Sequence, residues 1–112
     1  MQDTIREKFK ELGYRVLLAA DPVRALDRFR TQPFDAFILD AGTVGDDGLP
    51  VFERIMNEAR RRELHCAGII LFDVEQGRLA DHVENRPNVA VMVRPVTLKQ
   101  LHRKVEELVA QG

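Results

Sequence analysis

The chain has 112 residues, 45% hydrophobic and 31% charged, with 17 basic and 18 acidic side chains and a formal net charge of −1. That length supports one hydrophobic core and not two, so residues 1–112 read as a single domain. The near-neutral balance excludes bulk attraction to nucleic acid or to an anionic membrane, and apolar runs of about five residues are too short to span a bilayer or to read as a signal peptide, so the expected location is the cytoplasm.

The N-terminal residues up to Glu11 are charged and helical in pattern. Ile5, Phe9 and Leu12 recur at helical spacing on one face, and Gly13 supplies a C′ residue that ends the helix. Tyr14 to Ala20 reads as a strand. Asp21-Pro22 then starts a second helix, a capping side chain followed by proline at the first helical position, with Val23, Leu26 and Phe29 facing inward until Gln32-Pro33. Phe34 to Leu39 is a second strand, an apolar run that ends on the carboxylate of Asp40. Ala41 to Gly48 reads as a flexible acidic loop, and Phe52, Ile55, Met56 and Ala59 mark a third amphipathic helix.

Cys66 to Phe72 is the next strand, followed by a weak helical stretch holding Leu79 and Val83. Pro87-Asn88 turns the chain into a last strand, Val89 to Val93. Thr97 and Gln100 form a capping box for a final helix with Leu101, Val105 and Leu108 inward. Helices and strands alternate as αβαβαβαβα, which argues for a parallel sheet with helices on both faces. The expected core holds Phe9, Val16, Leu18, Leu26, Phe29, Ile38, Phe52, Ile55, Ile70, Val91, Leu101 and Val105.

Buried parallel strands read as continuous apolar runs, and open α/β sheets bind their ligands beyond the strand ends. Asp40 is therefore the first candidate site residue. It serves chemistry, or it simply caps the strand end and pairs with Arg94. His65, His82 and His102 lie on separate elements with no spacing for a metal or a base. Cys66 is the single cysteine, which excludes a disulfide framework and a zinc pattern and leaves a small core hydrophobe. Arg60-Arg61-Arg62 reads as a solvated helix end, where cations are favoured, and not as a nucleic-acid contact. The loop after Asp40 has Gly42 where a haloacid-dehalogenase-type phosphatase carries its general-acid aspartate.

Taken together, Gly13-Tyr14-Arg15-Val16, Ala20-Asp21-Pro22-Val23-Arg24-Ala25-Leu26, Phe34-Asp35 through Asp40, Asp47-Gly48-Leu49 and Arg94-Pro95-Val96-Thr97 follow one another in a characteristic order. On these stretches the chain resembles a response-regulator receiver domain, the phosphoacceptor module of two-component signalling. The resemblance implies a flavodoxin-like, doubly wound parallel sheet, with Asp40 as the candidate phosphoacceptor in a phosphorelay. It implies a histidine kinase or another signalling protein as partner, homodimerisation as an option, and no enzymatic activity of the domain's own. It also implies Arg94 in the place of the family's lysine, with an Arg94-Pro95 peptide bond that is often cis in that family.

The departures shape the expectation further. The family opens on a strand with two adjacent acidic residues that bind Mg²⁺, whereas this sequence starts at its first helix with that strand absent. Asp40 would hold Mg²⁺ weakly unless other ligands are supplied, because the ion wants near-octahedral oxygen ligands. Asp46 and Asp47 in the following loop are nearby acids. The small hydroxyl residue expected after Phe72 is missing, and Val91 replaces an aromatic relay residue. The absent strand would lie between Tyr14–Ala20 and Phe34–Leu39, leaving a gap of about 10 Å. Either those strands pair directly, or another chain or domain supplies the strand, or it lies outside the sequence given. A rearranged or strand-exchanged sheet is expected. The alternative function is a phosphorylation-independent pseudo-receiver, a protein-interaction or dimerisation module.

Overall fold

A computed structural model describes residues 2–19, 22–32, 34–45 and 47–111. The Asp21 cap, Asp46, and the side chains of Ile5, Val23 and Leu26 lie outside the described part. The chain forms α1 (Gln2–Glu11), β1 (Val16–Ala19), α2 (Pro22–Thr31), β2 (Ala36–Asp40), α3 (Ala41–Val44) and α4 (Gly48–Arg61). These are followed by β3 (Ala67–Phe72), a 3₁₀ helix (Val74–His82), β4 (Val89–Val93) and α5 (Leu98–Gln111). Gly13 ends α1 at φ 87°, and the amide of Tyr14 donates back to the Phe9 carbonyl at 2.9 Å, the hydrogen bonding of a glycine-closed helix.

The weak helical stretch after β3 is present as a 3₁₀ helix. The expectation of a flexible loop after Asp40 needs correction, since Ala41–Val44 forms one helical turn. Asp40 itself caps that turn, accepting from the Thr43 amide. Gly48 opens α4 because a side chain there would collide with Leu39, whose Cδ2 would lie 2.8 Å from a Cβ.

The four strands form one all-parallel sheet in the order β1-β2-β3-β4. β1 and β2 pair directly, with Val16 opposite Ala36 and Ala19 opposite Leu39, so no gap stands between them. This is the rearranged arrangement among the alternatives. Crossovers that step along a sheet in one direction with one hand fall on one face. Accordingly, α2, α4 and the 3₁₀ helix pack with Leu17, Phe37, Leu39, Ile70 and Phe72 on one side. α1 and α5 pack with Val16, Leu18, Ile38, Ile69 and Leu71 on the other. The period-two alternation of strand side chains generates both faces.

β2 and β3 are buried along their whole lengths, as interior strands covered on both faces should be. Of the expected core residues whose side chains are described, all are buried except Val91. That residue is 37% exposed, and Val93 41%, because β4 is an edge strand with solvent beyond it. Thr97 and Gln100 form the reciprocal capping box at the start of α5, with bonds of 3.1 and 2.8 Å. His102 is partly buried and stands edge-on to Phe9 and Tyr14, at ring separations of 6.1 and 6.4 Å, which helps α5 meet α1.

Hydrophobic patterning gave no hint of one buried charge. Glu58 on α4 faces α2, and both its oxygens accept from Arg30 Nε at 3.2 and 3.1 Å, with Arg61 at 3.5 Å. The Arg30 hydrogen bond, helped by the fields of Arg30, Arg62 and Arg61, holds the Glu58 carboxyl below its ordinary value of 4.5 against the opposing effect of burial. A carboxyl depressed in the folded state stabilises the fold above its unfolded pKa, and that contribution disappears as pH falls through the folded value. Wild type should therefore exceed Glu58→Gln in denaturant midpoint at pH 7. The difference should shrink as pH drops below about 4.5. A difference that is constant down to strongly acid pH would refute the pairing.

Candidate functional site

β2, β3 and β4 end side by side, with Asp40 opposite Leu71 and Phe72 opposite Val93. One residue beyond β3 comes Asp73, and one beyond β4 comes Arg94. Parallel register thus brings two carboxylates and a guanidinium from three neighbouring strands to one end of the sheet. The Arg94–Pro95 peptide bond is cis.

Asp40 is 7% exposed, and its carboxylate is engaged on both oxygens. Oδ1 accepts the Thr43 amide at 3.2 Å, and Oδ2 accepts the Thr43 hydroxyl at 3.0 Å. Arg94 Nη2 also donates to Oδ2. The other side of that guanidinium, Nε, lies 3.5 Å from Asp73 Oδ1, so Arg94 bridges the two carboxylates. The Asp40–Arg94 pair anticipated from the sequence is present, and Asp73 and Thr43 complete it.

Neither of those residues was identified from sequence. Phe72-Asp73 did carry a usable signal, because it is a second apolar strand ending on a carboxylate, the same pattern that picked out Asp40. Thr43 acts through a one-turn helix too short to leave a periodic trace. Gln76 also belongs here. Its side chain accepts from the Asp73 amide at 3.0 Å and donates to the Ala41 carbonyl at 3.0 Å, which fixes the start of the 3₁₀ helix against the end of β2. Gly42 makes room for Asp73, whose Oδ1 would lie 2.7 Å from a Cβ at that position.

Mg²⁺, implied by the resemblance, needs several hard oxygen ligands in near-octahedral geometry. Here the Asp40 oxygens are occupied by Thr43 and Arg94, and a guanidinium already spans the two acids. Among the described residues, no three His, Cys, Asp or Glu side chains are grouped to hold a metal. As arranged, these donors suit a guanidinium and do not fit Mg²⁺. The cation of this site comes from the chain itself. Asp40, Asp73 and Arg94 together carry a formal charge of −1, which opposes the approach of a phosphoryl dianion.

The histidines and the cysteine stand apart from this cluster. His65 and His82 are exposed, and Cys66 is buried at the opposite end of β3. Burial, with the Asp35 carboxylate adding to it, pushes the Cys66 thiol up to about 12, so it is a structural and not a reactive cysteine. Comparison with known proteins matched no family model, no curated protein and no solved structure.

Proposed function

We propose that this chain is a receiver-like signalling module of the flavodoxin-like kind that docks to a protein partner without being phosphorylated. One observation carries the reading: the Asp40 carboxylate is bound on both oxygens by Thr43 and Arg94. In-line attack on a phosphohistidine needs a free carboxylate oxygen and a cation able to follow the transferring group. Here both are committed to each other, and Asp73 adds a negative charge where the resemblance calls for a small hydroxyl. The module has no chemistry of its own on this reading, and its place of work is the cytoplasm.

The phosphoacceptor reading is the second one, with a histidine kinase as donor. It is favoured by the position of Asp40 at the end of an interior strand with Arg94 in reach. Intact-mass measurement after incubation with acetyl phosphate and Mg²⁺ separates the two. The docking reading expects no phosphoryl adduct on protein that circular dichroism shows to be folded. An adduct that forms on wild type and vanishes in Asp40→Asn would establish the phosphoacceptor and end the docking reading.

A further inference from the structure

β1 pairs with β2 on one side only, so its outer edge is an open edge of the sheet among the described residues. The edge is nevertheless recessed. Val16, Leu17 and Leu18 are 8%, 2% and 6% exposed, because α1 packs over one face of the strand and α2 over the other. Between the C-terminal halves of those helices runs a cleft of about 350 Å³ with Val16–Leu18 as its floor. Its walls carry Lys10, Arg15 and Arg28, together with Tyr14, Gln32 and Phe34.

Among the described residues no carboxylate lines this cleft. Asp35 lies just outside it and pairs with Arg15 at 3.5 Å. Lys10 and Arg28 each occupy the last turn of a helix, where the macrodipole favours a cation. Because both helices end beside the same strand edge, the cations collect around that edge. A strand edge offers unpaired amides and carbonyls at strand spacing, and a chain laid along it gains main-chain hydrogen bonds.

We propose that this edge receives an extended acidic segment of a partner protein as an added strand. The cationic walls argue against a second copy of this chain in the same place. Two β1 edges meeting about a two-fold axis would run antiparallel, so Lys10, Arg15 and Arg28 of each copy would meet the C-terminal end of the other's strand and gain no carboxylate from its cleft. A β1 edge meeting the β4 edge of another copy would be head-to-tail, giving a ring or an open filament instead of a closed pair. An acidic partner satisfies the walls, while Tyr14 and Phe34, partly buried in the lining, add apolar surface. This deepens the docking reading by naming the partner's chemistry, and its test does not involve Asp40. Phosphorylation of Asp40 would remove the earlier reading and leave this one standing.

The probe is a short, capped, fluorescein-labelled peptide alternating glutamate and valine, with a lysine–valine peptide as control. Anisotropy titrations should show saturable binding of the acidic peptide alone, and amide resonances of Val16–Ala19 should shift in NMR spectra. Lys10→Glu combined with Arg28→Glu should weaken binding by roughly tenfold or more, since two favourable charge contacts become repulsive. Both positions are exposed, so the double variant should fold. N-methylation of alternate peptide amides should abolish the binding. Equal binding of the methylated peptide would mean charge attraction without strand addition, and would overturn the proposal. Absence of binding to folded wild type would also overturn it, leaving the cations as guards against edge-to-edge aggregation. Self-association that the double variant strengthens would show that a second copy takes the edge, again overturning it.

Discussion

Arg94→Ala should lower the free energy of unfolding by about 3 kcal/mol, the cost of leaving a buried charge without its partner. Asp40 is the charge that suffers, since it is nearly buried and receives the Arg94 guanidinium on Oδ2. Arg94 is itself about one-third exposed, which holds the effect to the low end of the range for such pairs. Loss of the bridge also leaves Asp73 facing Asp40 without an intervening cation. The effect should therefore exceed that of Asp40→Asn, which keeps the Thr43 contacts and spares Arg94 one of its two acids. Combining the substitutions should recover part of the loss, because no buried carboxylate remains unpaired. Urea unfolding of the four proteins measures this. Strict additivity would mean that Asp40 and Arg94 do not interact in solution, and the account of the site would fail with it.

The second large effect lies in the seam between α4 and the sheet. Phe52→Ala should cost about 4 kcal/mol, as expected for an aromatic ring removed from a filled core. Phe52 is fully buried and meets Phe37 edge-on at 5.8 Å and 72°. Gly68 on β3 is the floor on which this contact rests. A Cβ there would stand 2.7 Å from Met56 Sδ and 2.9 Å from Phe52 Cζ. Gly68→Ala should cost about 2 kcal/mol through overpacking. Placed in the Phe52→Ala background, the same methyl enters space that the ring has left, so the double substitution should cost less than the sum of the singles. Thermal unfolding followed by far-ultraviolet circular dichroism reads all three. An additive result would show that α4 does not approach β3 this closely.

Much of this architecture was legible in the residues. The apolar runs of Ala36–Leu39 and Cys66–Phe72 are uninterrupted because their strands are buried on both faces, and such runs announce themselves. Gly13 and the Thr97–Gln100 box marked helix ends through local chemistry that a sequence carries directly. Val91 was misjudged for a physical reason: a valine-rich run reads as interior whether or not a fifth strand lies beyond it, and edge position depends on topology. The pairing of β1 with β2 was one of several arrangements open to the sequence, since no local feature of either strand selects its neighbour. Within the site, Asp40 and Arg94 could be anticipated from their places at strand ends. Asp73 stands at a strand end of the same pattern, but its pairing with Arg94 arises from parallel register, and the role of Thr43 arises from one turn of helix with no periodic trace.

The strand order has a consequence for how the chain reaches its fold. Val16 meets Ala36, Ala36 meets Ala67, and Gly68 meets Val89, so every pairing joins strands adjacent along the chain. The entropic cost of closing a loop rises with its length, and folds built from near-neighbour contacts form faster than those that must thread a late strand into the middle of a sheet. Among the described residues no strand waits for a distant segment to arrive. The sheet can grow outward from the β2–β3 pair in either direction, each crossover helix covering new apolar surface as it is laid down, and the search is a succession of short steps instead of one long one.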